Sequence, residues 1–161
     1  MIDAPIETWY TWLGIAAVSV LTLGTAAGIP SGPTPDATGV ADTIDRVAAD
    51  ELPATAEHGV AADRIRLSPT RVSLRGPGGS TTAPLRFGPV TPATSAGSDD
   101  RLRRVLSGEP PNRVFDSPEA LNRAAVESRG RYRRNPRWER APNRLRIRSI
   151  RWEGTRVTLV G

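Results

Sequence analysis

The apolar positions of the chain concentrate in one uninterrupted stretch near its start. Residues 9–29 contain no charged side chain. A helix of this length spans roughly 31 Å at about 1.5 Å per residue, which is the thickness of a bilayer core. Trp9, Tyr10 and Trp12 gather at one end, where amphipathic rings favour the headgroup level. The pattern predicts one transmembrane helix over residues 9–29.

A cleaved secretory signal is the alternative for this stretch, because residues 25–27 resemble a small-residue cleavage site. Signal peptides have a basic start and an apolar region of about 7–15 residues, whereas residues 1–8 form a short acidic tail. We therefore expect the span to be retained. Gly24 and Gly28, four positions apart, would allow close contact with a second membrane helix.

The pattern changes to helical spacing directly after the span. Residues 30–35 are rich in Pro and Gly and predict an extended spacer. Asp36 then caps a predicted helix that runs to about residue 50 and continues from the membrane stalk. Its apolar residues recur at helical spacing on one face, and its charged residues fall elsewhere. The apolar face holds Val40, Ile44 and Val47, and the charged residues are Asp42, Asp45 and Arg46.

Alternation of polar and apolar residues predicts a first β-hairpin. Residues 70–75 alternate, residues 76–79 supply a glycine-rich turn, and residues 83–87 return. Pro84 restricts the returning strand to the edge of a sheet.

A second hairpin is predicted at the end of the chain, over residues 144–160, with its turn at Glu153 and Gly154. Ile150 has the opposite parity from Ile147, so a bulge near Ser149 would be needed to turn both inward.

Short helices and loops fill the interval between the hairpins. Residues 89–98 have the composition of a low-complexity linker. Asp99 begins a short basic helix that ends at Gly108, and Ser117 caps a helix to about residue 128. We expect residues 89–98 and 129–143 to be the least ordered parts. The predicted fold class is α+β: a transmembrane helix followed by a small soluble domain, residues 36–161, with two antiparallel hairpins and short helices.

Charge is distributed unevenly over the 161 residues. All 22 basic residues are arginine, cysteine is absent, and the net charge is +5. Residues 1–100 carry six Arg and eleven acids, whereas residues 101–161 carry sixteen Arg and six acids. Such polarity concerns partners and orientation rather than fold.

The Arg-rich segment, residues 129–151, contains ten arginines and one acid. Arginine forks bind phosphates and carboxylates and stack on aromatic rings. The partners predicted for this segment are anionic lipid, acidic protein or, least favoured, nucleic acid. The alternative is a solvated edge that blunts aggregation. The candidate residues are Arg144, Arg146 and Arg148, expected about 7 Å apart on one strand face, and Arg131, Arg133 and Arg134 in a flexible segment before it.

No catalytic constellation is visible in the sequence. His58 is the single histidine and lies in a stretch that we predict to be a solvated loop. Asp99 and Asp100 precede a helix, where acids serve as caps. Residues 76–79 lack the lysine and following helix of a phosphate loop. We therefore expect no enzymatic activity, no cofactor, no metal site and no small-molecule substrate.

Several short stretches carry a resemblance to a family of small haloarchaeal single-span proteins. They are residues 3–5, 9–10, 39–49, 53–58 and 87–92. That family is associated with gene clusters for type IV pilus-like or Tad-like secretion machinery, and the layout is similar to a pilin, with Glu7 before the apolar run. No basic leader precedes the span, so the resemblance implies a non-polymerising accessory component.

These patterns together predict a single-pass protein of the cell membrane, with the lipid bilayer and envelope or secretion-assembly proteins as partners. The pilin-like layout favours a domain outside the cell, whereas the basic C-terminal half favours the inside; we expect the domain outside. The predicted function is a structural or accessory component of a pilus-like envelope assembly. The alternative is a membrane-tethered binding module with an Arg-rich surface.

Overall fold

The computed structural model describes residues 32–93 and 99–161. The predicted span, with its anchoring residues Trp9, Tyr10, Trp12, Gly24 and Gly28, lies outside the described residues. The helices are α1 (Ala37–Ala49), α2 (Asp100–Leu106), α3 (Pro111–Val114) and α4 (Pro118–Arg134). The strands are β1 (Thr55–Gly59), β2 (Arg64–Ser68), β3 (Arg71–Gly76), β4 (Gly79–Pro84), β5 (Thr91–Pro92), β6 (Glu139–Arg140), β7 (Arg144–Trp152) and β8 (Thr155–Val160).

The strands form two four-stranded sheets. Sheet 1 has the order β1-β7-β8-β5, and sheet 2 has the order β4-β3-β2-β6. Neighbouring strands are antiparallel except for β5, which runs parallel to β8. The predicted α+β class, with antiparallel sheets and short helices, is confirmed. In residues 32–93 and 99–161, no helix combines the length and the apolar character that crossing a membrane requires.

Helix α1 packs against both sheets and forms the centre of the first core. Asp36 begins the helix by accepting a hydrogen bond from the Gly39 amide at 2.8 Å. The predicted apolar face is buried: Val40, Ile44 and Val47 are at most 5% exposed. They pack with apolar side chains of β2, β3, β4 and β7. Residues 32–35, directly before Asp36, are not helical, so α1 begins at its own cap.

Asp45 departs from the expected polar face of α1, because it is buried. Its carboxylate accepts hydrogen bonds from the backbone amides of Arg86, at 3.0 Å to each oxygen, and Phe87, at 3.1 Å. A buried carboxylate requires such donors. Asp45 therefore holds the loop after β4 against α1.

Sheet 1 is buried on both faces, and the predicted bulge near Ser149 is wrong. The pairing of β7 with β8 is regular, with Ile147 opposite Val160 and Ile150 opposite Val157. Ile147 joins the first core, whereas Ile150 joins a second core built from α2, α4 and β8. Ile147 and Ile150 can therefore point to opposite faces of β7 without a bulge, since apolar residues cover each face of the strand.

The second core orders two segments that we expected to be loose. Helix α4 begins at its predicted Ser117 cap, where the side chain accepts from the Ala120 amide at 3.3 Å, but it continues to Arg134. The expected linker is also structured where it is described, because residues 90–93 are buried and include strand β5. The buried Ser128 hydroxyl donates to the Pro92 carbonyl at 2.6 Å and joins the two segments.

Both predicted hairpins are present. Glu153 and Gly154 have φ angles of 44° and 81°, the left-handed conformations that a two-residue hairpin turn of this type requires. The first hairpin turns between Gly76 and Gly79, and its returning strand β4 starts earlier than predicted. Pro84 ends β4 at the edge of sheet 2, as expected.

Candidate functional site

An arginine-lined cleft of about 980 Å³ lies where sheet 1, sheet 2 and helix α2 meet. We call it the arginine cleft. Its polar lining consists mainly of guanidinium groups with two carboxylates among them, and one tryptophan contributes to the wall. The arginines are Arg103, Arg137, Arg140, Arg144 and Arg146, and the other residues are Glu57, Glu139 and Trp138.

Glu57 connects two of the cleft arginines. The antiparallel pairing of β1 with β7 places Glu57 directly opposite Arg146. Arg146 donates to Glu57 Oε1 from Nε at 3.0 Å and from Nη2 at 2.8 Å. Arg144 Nη1 lies 3.5 Å from Glu57 Oε2. The hydrogen bond from Arg146 and its positive charge, with a smaller contribution from Arg144, lower the pKa of Glu57.

Arg148 lies on the same face of β7 as Arg144 and Arg146, but it bonds to backbone atoms of the domain. Its Nη1 donates to the backbone carbonyls of Val105 and Glu109, the latter at 3.1 Å, at the end of helix α2. A cationic side chain at a helix C-terminus satisfies carbonyls that have no partner within the helix. The predicted strand positions of Arg144, Arg146 and Arg148 are thus confirmed, but only the first two line the cleft.

The other three candidate arginines lie elsewhere. Arg131, Arg133 and Arg134 belong to the last two turns of α4, not to a flexible segment, and they do not line the cleft. Arg131 lies near the Asp99 carboxylate and contributes to lowering its pKa, after the larger effect of the Arg101 hydrogen bond. The structure therefore does not bring the six predicted arginines into one site.

The remaining cleft arginines were not singled out from the sequence. Arg103 pairs with Asp100 on α2, and its buried Nε has no hydrogen-bond partner among the described residues. Arg137 and Arg140 form no ion pair within the described ranges. Their place in the Arg-rich segment was a usable signal, but Arg103 reaches the cleft only through tertiary packing.

Trp138 joins the cleft to the outer face of sheet 2. The guanidinium carbons of Arg66 and Arg75 lie 4.8 Å and 4.7 Å from its ring centroid, within cation–π distance. Trp138 itself belongs to the Arg-rich segment. The stacking arginines come instead from β2 and β3.

The chemistry of the cleft is that of anion binding. Five guanidinium groups and two carboxylates leave an excess of positive charge in a concave, partly apolar pocket. Arginine forks form short, charge-assisted bonds to carboxylates and phosphates. Arg146 already holds one carboxylate oxygen in this way. Residues 32–93 and 99–161 contain no group of three or more His, Asp or Glu side chains that could hold a metal ion.

We predicted that His58 lies in a solvated loop. It lies instead on strand β1, where it is half-buried. Its Nδ1 lies 2.8 Å from the Thr43 hydroxyl, which itself donates to the Gly39 carbonyl at 2.9 Å. Because that hydroxyl has only one proton, His58 Nδ1 acts as the donor in this pair. The histidine thus ties β1 to α1, and the sequence signal missed was the alternation in β1.

The fold and the cleft define a small two-sheet α+β domain with a concave, arginine-rich surface. The chain belongs to a family of unknown function, DUF7283, which matches residues 3–150. No curated protein and no solved structure matches the chain.

Proposed function

We propose that this protein is a membrane-tethered, non-enzymatic binding module that holds a carboxylate-bearing segment of a partner protein in the arginine cleft. The observation that carries the proposal is the cleft itself, where five arginines face two glutamates. An acidic segment would complete the hydrogen bonding of guanidinium groups such as Arg137, which has no ion pair among the described residues.

Glu57 supports a carboxylate rather than another anion as the bound group. Arg146 directs two donors at one oxygen of Glu57, so the cleft already binds a carboxylate of this chain through one of its arginines. A protein segment also suits the shape, because the cleft is open and lined by a strand end, a helix and a loop. Anionic lipid and nucleic acid remain the other ligands of this surface and are outcomes of the test.

The apolar residues 9–29 support the tether, and the resemblance to pilus-associated single-span proteins supports an envelope assembly as the source of the partner. In this proposal the protein is an accessory component of that assembly, the domain faces outside the cell, and the cleft is the contact with a neighbouring acidic subunit. Neither a cofactor nor a small-molecule substrate takes part.

The test measures binding of a fluorescent oligoglutamate peptide to the full chain in phosphatidylcholine nanodiscs. Replacing Arg137 and Arg144 with Gln should weaken binding by about 2- to 30-fold, at about 0.2–1 kcal/mol for each exposed ion pair. Both side chains are exposed, so the fold should be unaffected.

The matched control replaces Arg113 and Arg123, which are exposed, lie outside the cleft and remove the same charge. It should bind the peptide as the parent does. Equal weakening by both variants would show that the peptide is held by general charge attraction and not by the cleft. Tighter binding of a single-stranded oligonucleotide than of oligoglutamate would contradict a protein ligand, and so would binding of phosphatidylglycerol vesicles that is lost when Arg137 and Arg144 are replaced.

A further inference from the structure

A second arginine surface lies on sheet 2, away from the Arg-rich segment that the sequence emphasised. Strand pairing places Arg75 opposite Arg64, and Arg64 opposite Arg140. Residues directly opposite one another in an antiparallel sheet share a face, with strands about 4.8 Å apart. The three arginines therefore form a row across the outer face of sheet 2, which we call the arginine row.

The row is electrostatically uncompensated within the described residues. No ion pair involves Arg64, Arg75 or Arg140 there. Glu139 lies opposite Ile65, at the other parity from Arg140, and Asp63 precedes β2. Like charges directly opposite one another destabilise a sheet. An external anion that bridges neighbouring guanidinium groups would offset this repulsion.

The chain enters the domain at the same end of sheet 2. Residues 32–35 cross the β3–β4 turn, where a Cβ on Gly78 would lie 2.3 Å from the carbonyl oxygens of Gly32 and Pro33. The Thr81 hydroxyl donates to the Pro35 carbonyl at 2.6 Å. Since Gly76 pairs with Gly79 at this turn, the row begins one residue away from it. The first described residue is therefore fixed beside the arginine row.

The proposed span ends at Ile29, and only two residues separate it from Gly32. Three residue steps reach at most about 10 Å. If residues 9–29 cross the bilayer, the length of the chain keeps Gly32 within about 10 Å of the end of the span. Strand pairing gathers, at the β3–β4 turn end of sheet 2, arginines that lie far from residues 9–29 in the sequence.

We infer that the arginine row binds the phosphate headgroups of the anionic lipids in which the protein is tethered. The inference rests on the membrane tether of the proposed function and assigns the lipid to a surface that adjoins the cleft and shares Arg140 with it, but whose other arginines, Arg64 and Arg75, lie outside the cleft. Trp138 fits the site, because it stacks on Arg75 and tryptophan favours the headgroup level. Docking of the row would fix the orientation of the domain on the membrane and leave the protein partner to the cleft.

The experiment uses the absence of cysteine in the chain. A single cysteine replaces Ser80, which lies opposite Arg75 in the row, or Thr70, which lies at the far end of sheet 2. Each full-length variant carries a fluorophore and is reconstituted in vesicles that contain a nitroxide lipid as quencher. The vesicles consist of phosphatidylcholine alone or of an equal mixture with phosphatidylglycerol.

We expect the Ser80 label to be quenched more strongly than the Thr70 label in the mixed vesicles, and this difference to shrink in phosphatidylcholine. Replacing Arg64 and Arg75 with Gln should remove the effect of phosphatidylglycerol. The ratio of docked to undocked domain should fall about fivefold for each arginine, which corresponds to about 1 kcal/mol per basic side chain at an anionic surface.

The control variant replaces Arg71, which lies on the same strand at the far end, together with Arg123. It loses the same charge and should keep the quenching. Equal quenching of the two labels in vesicles that retain the protein would overturn this inference and leave the proposed function intact. So would a Ser80 signal that does not depend on phosphatidylglycerol. A chain that fails to float with the vesicles would overturn the tether, and the inference with it.

Discussion

The two sheets use arginine in different ways. On sheet 1, Arg146 is paired with Glu57, and Arg148 caps the end of helix α2. On sheet 2, Arg64 and Arg75 face each other across two strands and form no ion pair among the described residues. The difference shows that arginine density alone does not tell which arginines are available to a ligand, because strand β7 satisfies much of its charge internally.

Burial follows the same division. Sheet 1 has a core on each face, formed by α1 on one side and by α2 and α4 on the other. Sheet 2 has a core on one face only, and its outer face carries the arginine row. Arg146 and Arg148 on sheet 1 therefore have oxygen atoms of the domain to bond, whereas Arg64 and Arg75 on the outer face of sheet 2 form no ion pair within the described residues.

The largest expected effect is loss of stability when a core side chain of either parity in β7 is shortened. Ile147→Ala and Ile150→Ala should each lower the free energy of unfolding by about 2–5 kcal/mol, because each residue is buried in its own core. On sheet 2, Leu74→Ala should lower the free energy of unfolding by the same amount. Arg75→Gln, at the next position, should lower it by about 1 kcal/mol or less. Chemical denaturation of the full chain in detergent measures these values. If Ile150→Ala left the free energy of unfolding nearly unchanged, the result would contradict a second core on sheet 1.

The next effect separates two arginines of one strand. Arg148→Gln should lower the free energy of unfolding by about 1.5–3 kcal/mol, since it removes charge-assisted bonds to carbonyls at the end of α2. Arg144→Gln should change it by less than about 0.5 kcal/mol, because Arg144 is exposed. The same denaturation experiment compares them. Equal costs would mean that the face is uniformly structural or uniformly solvated.

The sequence predicted those parts of the fold that depend on local pattern. The apolar face of α1, the Ser117 cap of α4 and both hairpins follow from spacing and turn chemistry. The second core did not follow, because parity within β7 cannot show whether one or both faces are covered. Asp45 was expected on the polar face of α1. Helical spacing cannot reveal its hydrogen-bond donors, which come from a loop 41 residues away in the chain.

The candidate site could be predicted only in part. The Arg-rich segment contains Arg137, Arg140, Arg144 and Arg146, which do line the cleft. The length of α4 was misjudged because residues 129–143 were expected to be poorly ordered, whereas Tyr132 is buried in the interior and the helix runs to Arg134. The arginine row depends on strand register, and register is a tertiary property.

The smallest expected effect concerns pH. The folded state lowers the pKa of Glu57 through the hydrogen bond from Arg146, so the stabilising contribution of the pair is present above the pKa of the unfolded chain, about 4.3. It is lost as the pH falls through the lower pKa of the folded state. Thermal melts from pH 7 to pH 3 should show the parent losing more stability than Glu57→Gln. Parallel losses would mean that the pair contributes nothing.

The central claim is that the two arginine surfaces have separate ligands, and one crossed titration tests it most directly. Oligoglutamate is titrated against the full chain in phosphatidylcholine nanodiscs, with Arg137 and Arg144 replaced by Gln in one variant and Arg64 and Arg75 in the other. The account predicts weaker peptide binding for the cleft variant and parental binding for the row variant, although both lose two charges. Equal weakening of the two variants, or a greater loss in the row variant, would contradict it.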